Sequence, residues 1–137
     1  MFDGVKHVQE LTPEEWQEHI DAGTTLLVDY YLSWCGHCKH FKPTWVQIGD
    51  GLMDTNVRVG AMNCLTHTHF CSNSLNISGY PRVEAINIPP VVDVEGHKTV
   101  LGPGEVRREV IWNHGGNTYE AVVAWIRRHV PATLLVG

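Results

Sequence analysis

The chain has 137 residues, of which 43% are hydrophobic and 18% charged, and its formal net charge is −5. That length fits one domain and buries a core without staples. The acidic balance, with no basic cluster beyond Arg127-Arg128, argues against nucleic acid or an anionic membrane as main partner, and no apolar run approaches the ~20 residues that span a bilayer.

The opening, MFDGVKHVQE, lacks the pattern of a secretory signal peptide. This leaves a cytosolic protein or one whose signal has been removed. Val5–Val8 suits a short first strand. LTPEEW then reads as a helix start, with Thr12 as N-cap, Pro13 at the first helical position and Glu15 closing a capping box. Leu11 and Trp16 stand where a hydrophobic staple would, and Gly23 ends the helix. Thr24–Tyr31 is β-branched and aromatic, so it predicts a buried strand.

A helix follows Cys35, with Phe41, Trp45, Ile48 and Leu52 on one face and Pro43 as a kink inside it. Val57–Asn63 predicts a second central strand, Thr66–Leu75 a short helix and Arg82–Ile88 a third strand. Pro89–Glu105 is the least readable part, although Glu95-Gly96 suggests a turn between short strands. Val106–Trp112 predicts the last strand. The final helix opens at Asn117 with Glu120 as its capping box and buries Tyr119, Val122, Val123, Ile126 and Val130. Arg127, Arg128 and His129 suit the negative end of its dipole, and Pro131 stops it. The tail ATLLVG is too apolar for a free terminus. Helices between the early strands imply parallel neighbours, and the closing strand pair implies an antiparallel addition.

The chemistry concentrates in VDYYLSWCGHCKHFKPTW, Val28–Trp45. Cys35 stands where a strand ends and a helix begins, so free N–H groups and the helix dipole favour its thiolate. His37 adds positive charge when protonated. Cys38, one turn further on, sits at a separation that suits a disulfide. An exposed attacking sulfur and a more buried resolving sulfur are what thiol–disulfide exchange requires. Two other readings stay open: a zinc knuckle, which wants a second close pair, and a purely structural disulfide. The spacing of Cys64 and Cys71 is poor for such a knuckle. His67–His69 carries no metal expectation. Asp29 lies among apolar neighbours, where burial raises a carboxyl pKa.

WCGHCKHFKP resembles the active site of the protein disulfide isomerase family, whose thioredoxin-like domains use Cys-Gly-His-Cys. Asp29, six residues before Cys35, matches the buried acid of thioredoxins, and Pro43 matches their helix-kinking proline. SGYPRV resembles the loop that holds the family's cis-proline, and WIRRHVPA resembles the end of such a domain. The resemblance covers most of the chain. It implies an α/β thioredoxin-like fold, a central mixed β-sheet flanked by helices, over residues 1–130, with residues 131–137 a tail or the start of a linker.

The implied activity is formation or isomerisation of disulfides in secretory proteins, through a Cys35/Cys38 dithiol with Gly36 and His37 between. Asp29 would accept the proton of Cys38; the isomerases usually have Glu there, so its side chain would stand further off. Trp34 would shield the cysteines or serve as a core residue, and Tyr80 and Pro81 would pair with extended substrate. Partners would be cysteine-containing proteins or peptides, with glutathione or a sulfhydryl oxidase as redox partner. No cofactor and no metal are implied, and the compartment would be the endoplasmic reticulum lumen or secretory pathway.

The second pair, Cys64 and Cys71, resembles one found in multi-domain isomerases and in quiescin sulfhydryl oxidases. Either it is a second redox couple, or it is a structural disulfide; nothing around it lowers a thiol pKa, which favours the structural role. Alternatives for the whole are a thioredoxin module of a flavin-dependent sulfhydryl oxidase, and a client-binding module with an incidental disulfide. Asn76-Ile77-Ser78 is a glycosylation sequon close to the proline loop. Three departures stand out: Arg82 replaces the usual Thr, the Pro89–Glu105 segment is longer than the family's usual connection, and Asn117 stands where related domains place an arginine that eases deprotonation of the buried cysteine. Arg82 and Arg107 are candidates to replace it.

Overall fold

The computed structural model describes residues 1–89, 107–112 and 117–136. The expected turn at Glu95-Gly96, most of the segment around it, and the start of the last strand at Val106 lie outside the described residues. In chain order the elements are β1 (Gln9–Glu10), α1 (Pro13–Asp21), β2 (Thr25–Tyr31), α2 (Gly36–Leu52), β3 (Val57–Asn63), β4 (Arg82–Ile86), β5 (Arg108–Trp112) and α3 (Tyr119–His129). The strands form one mixed sheet in the order β1-β3-β2-β4-β5.

β2 is buried along its whole length because both faces are covered. Leu27 and Tyr31 face α2 and α3, packing with Phe41, Trp45, Ile48, Val122 and Ile126. Leu26, Val28 and Tyr30 face the other way, against Leu11, Trp16, Cys64, Cys71 and Ile77. The period of two thus places Asp29 on the α2 side, between Leu27 and Tyr31. The Thr12 capping box forms as expected, with Thr12 Oγ1 accepting from the Glu15 N–H at 3.1 Å and Glu15 Oε1 accepting from the Thr12 N–H at 3.0 Å.

Several expectations are corrected. The first strand is Gln9–Glu10, not Val5–Val8. Residues 5–8 press against α2 instead: a Cβ on Gly49 would meet His7 O at 2.6 Å and Val8 Cγ2 at 2.8 Å. Of the short helix expected over Thr66–Leu75, residues 68–74 are helical, and Phe70–Ser74 within them forms one wide π-helical turn. The Cys64–Cys71 disulfide ties the residue after β3 to that π-helical turn with Cα atoms 5.7 Å apart, and Thr68 Oγ1 donates back to the Cys64 and Leu65 carbonyls. With no full crossover helix, the chain returns antiparallel: β4 pairs with β2, not parallel with β3.

The third strand stops at Ile86 rather than Ile88. Asn87 takes a φ of 58°, and its side-chain amide donates to the Ile20 and Thr24 carbonyls. The final helix is capped by Thr118, whose hydroxyl accepts from the Ala121 N–H at 3.2 Å; Asn117 and Glu120 form no box. Beyond α3, Leu134 and Leu135 pack on the core, and Leu134 O accepts from the Asn56 N–H at 3.0 Å.

Candidate active site

Cys35 follows the end of β2 and is the N-cap of α2, with φ −74° and ψ 125°. Its Sγ accepts from the Cys38 backbone N–H at 3.4 Å. The role usually filled by a Ser or Asp oxygen is thus taken by sulfur, which places the unpaired N–H groups of the helix around a nucleophile. No acidic side chain lies in the first turn to oppose an anion there. Both thiols are free; Cys35 is half-exposed and Cys38 buried. Gly36 and His37 are exposed on the outer side of that turn.

Asp29 is completely buried, and among the described residues neither carboxyl oxygen has a hydrogen-bond partner. Burial first, and the charge of Glu10 second, push its carboxyl well above the ordinary Asp range. Burial also pushes the Cys38 thiol up to about 12, with the Cys35 sulfur and the Asp29 charge adding to it. Asp29 and Cys38 therefore sit within each other's field on one face of β2.

The third component is the loop entering β4. The Tyr80–Pro81 peptide is cis, Pro81 is buried and Tyr80 is half-buried between the two cores. Burial raises the Tyr80 hydroxyl, and Tyr80 packs with Cys35 against the core cluster that contains Cys38. Trp34 is not a core tryptophan: it is 66% exposed on the turn before Cys35.

The candidate arginines are held elsewhere. Arg82 pairs with Glu84 at 2.8 Å, and Arg107 pairs with Glu109 at 2.6 Å and donates to Pro89 O. Asn117 offers its carbonyl to the Thr44 hydroxyl on α2. Among the described residues no three His, Cys, Asp or Glu side chains converge to hold a metal. Cys64 and Cys71 are disulfide-bonded and buried, on the opposite face of the sheet from Cys38. Asn76 is exposed with a φ of 56°, directly after that loop.

Sequence reasoning missed two groups. Glu84, only 1% exposed in mid-β4, is bound by Arg108 at 2.8 and 2.9 Å as well as by Arg82, and Arg108 also donates to Leu75 O. The signal was an acid inside the apolar run RVEAINI, the same signal that drew attention to Asp29. Glu10 and Tyr31 are the second group; their hydrogen bond joins residues 21 apart, and no local pattern announces it.

The sequence profile of the thioredoxin family matches residues 7–99. The chain belongs to the thioredoxin family. Among curated relatives it is 27% identical to protein disulfide-isomerase of Saccharomyces cerevisiae over 67% of its length, and 29% identical to human protein disulfide-isomerase A6 over 90%. It spans only 18% and 24% of those two proteins. Among solved structures it superposes on the Trx4 domain of ERdj5 with a TM-score of 0.66 and 21% identity, covering 88% of this chain and 93% of that one. A J-Trx1 fragment of ERdj5 matches with a TM-score of 0.70 and 20% identity, over 99% of this chain and 56% of the fragment. These superpositions establish the fold: a thioredoxin domain with a five-stranded mixed sheet flanked by helices.

Proposed function

We propose that the chain is a thiol–disulfide oxidoreductase acting on cysteine-containing proteins or peptides. The observation that carries the reading is the free Cys35 sulfur serving as N-cap of α2, with a buried free thiol one turn on and an unpartnered carboxyl in its field. Cys35 thiolate attacks a substrate disulfide, forming the mixed disulfide and releasing one substrate thiolate. Asp29, once ionised, takes the S–H proton of Cys38. The Cys38 thiolate then attacks Cys35 Sγ; the Cys35–Cys38 bond forms and the Cys35–substrate bond breaks. The substrate leaves reduced and the domain is oxidised. Run backwards, the same steps oxidise a substrate dithiol.

His37 favours the reduced thiolate form when protonated and so makes the couple oxidising. The edge at Tyr80 and Pro81, with exposed Trp34 adjacent in sequence to Cys35, supports docking of an extended substrate segment. The buried Cys64–Cys71 disulfide, on the far face of the sheet, acts as a structural clasp. A disulfide that persists this way fits an oxidising compartment. The likeness to disulfide isomerases supports placing the chain in the endoplasmic reticulum or secretory pathway, with glutathione or a sulfhydryl oxidase as redox partner.

The test is reduction of insulin by dithiothreitol. Wild type accelerates it, and Cys35→Ser does not. A module that only binds clients would show no thiol-dependent turnover in either form.

A further inference from the structure

Asp29 is not the only acid at this end of the sheet. Glu10 of β1 is in register with Ala61 of β3, and Ala61 is in register with Asp29 of β2. The three residues form one row across parallel strands, so their side chains share a face. Adjacent strands lie ~4.8 Å apart, which puts the Glu10 and Asp29 backbones ~10 Å apart with only the alanine methyl between them. Tyr31, two positions along β2 on the same face, donates its hydroxyl to Glu10 Oε1 at 2.5 Å. The Phe2 N–H donates to the same oxygen at 2.7 Å. These bonds hold Glu10 over the row instead of letting it swing into solvent. A cavity of about 200 Å³ opens beside it, lined by Asp3, Glu10, Thr12, Tyr31, Asn63 and His67.

We propose that Glu10, clamped by Tyr31 across Ala61 from Asp29, is an electrostatic positioning residue that keeps a proton on Asp29 and so sets the pH at which Cys38 is released. The proposal rests on the thiol-exchange reading above. Resolution needs the Asp29 carboxylate to take the Cys38 proton, and the negative charge of Glu10 opposes a second negative charge in the same row. The direction of the Asp29 shift, with Glu10 as its second cause after burial, agrees with this.

The groups packed directly against Asp29 are apolar, a thiol or a phenol. From α2 it meets Cys38, which adds charge of the same sign when ionised. β3 and β4 place Ala61 and Val83 opposite it. α3 contributes the apolar Val122 and Ile126 to that core. On its own strand Tyr31 is held protonated, its hydroxyl raised by burial and by the bond to Glu10, with Asp3 adding a further like charge. Two cations stand near Glu10: the Met1 amino group, which forms an ion pair with Glu10 Oε1 at 3.3 Å and offsets part of its charge, and Lys42 Nζ, 5.9 Å from the Phe2 ring.

The experiment measures the rate of mixed-disulfide resolution against pH, together with the titration of Asp29 by carboxyl ¹³C NMR, in wild type, Glu10→Gln and Tyr31→Phe. Glu10→Gln keeps the shape and the Tyr31 bond but removes the charge. Both the rate midpoint and the Asp29 titration should move to lower pH by about one unit, the size expected for a unit charge at ~10 Å in an effective dielectric of ~20. Tyr31→Phe, which unclamps Glu10, should move them the same way by less. In an Asp29→Asn background Glu10→Gln should shift nothing. A folded Glu10→Gln protein with unmoved rate midpoint and unmoved Asp29 titration would overturn the proposal. If no variant, wild type included, exchanges thiols, the oxidoreductase reading fails and the carboxyl titration alone decides whether Glu10 governs Asp29.

Discussion

Asp29 leaves a signature in stability as well as in rate. In the unfolded chain it ionises in water; in the native state burial and Glu10 favour its protonated form. Over the interval between those two values the native state binds the extra proton. The Asp29 contribution is therefore intact in acid and is lost as pH rises through the native-state value. Asp29→Asn removes that loss. Denaturant unfolding should show the variant gaining stability relative to wild type as pH rises from 4 to 9, whereas a pH-independent difference would contradict the burial argument. The same variant should resolve mixed disulfides at least about tenfold more slowly at pH values above the Asp29 titration, where the wild-type carboxylate is available as a base. There Cys38, pushed up to about 12, gives up its proton poorly without help.

At the scale of elements, the connector between β3 and β4 decides both the topology and the placement of the proline loop. Two clasps hold it: the Cys64–Cys71 disulfide and the Arg108 guanidinium, which joins Glu84 to Leu75 O. Replacing both cysteines with Ser should cost about 2 kcal/mol in unfolding free energy with turnover largely kept. Loss of turnover at unchanged stability would show that the pair carries electrons. Arg108→Ala leaves Glu84 buried with Arg82 alone and should cost about 3 kcal/mol, at the low end for a broken buried pair because Arg108 is partly exposed. The central elements were legible because their signals are local: the Thr12 box, the apolar β2 and β3, and the Cys35–Cys38 turn. The connector was not, because a disulfide and a long-range arginine override the weak helical pattern of Thr66–Leu75. The edge strand failed for a similar reason, since Val5–Val8 prefers α2 at Gly49 to the sheet edge.

For the whole molecule, the sheet order brings a thiol, a buried acid and a cis-proline loop to one end of β2 and β4, while the disulfide occupies the other face. The thiols and Asp29 could be read from the sequence because they lie within ten residues of one another. Glu10 could not, because only strand register delivers it to Asp29. With His37 between the cysteines, the couple should equilibrate with glutathione at a potential nearer about −180 mV than about −270 mV. A value at or below the latter would reject an oxidising role.

The most direct measurement is the order of alkylation of the fully reduced protein by limiting iodoacetamide at pH 7, mapped by peptide mass spectrometry. Cys35, the half-exposed sulfur at the helix N-terminus, should be modified first and essentially alone, with Cys38 protected by burial and by its high pKa. Preferential labelling of Cys38, or equal labelling of both, would contradict the assignment of Cys35 as the attacking thiol and Cys38 as the resolving one.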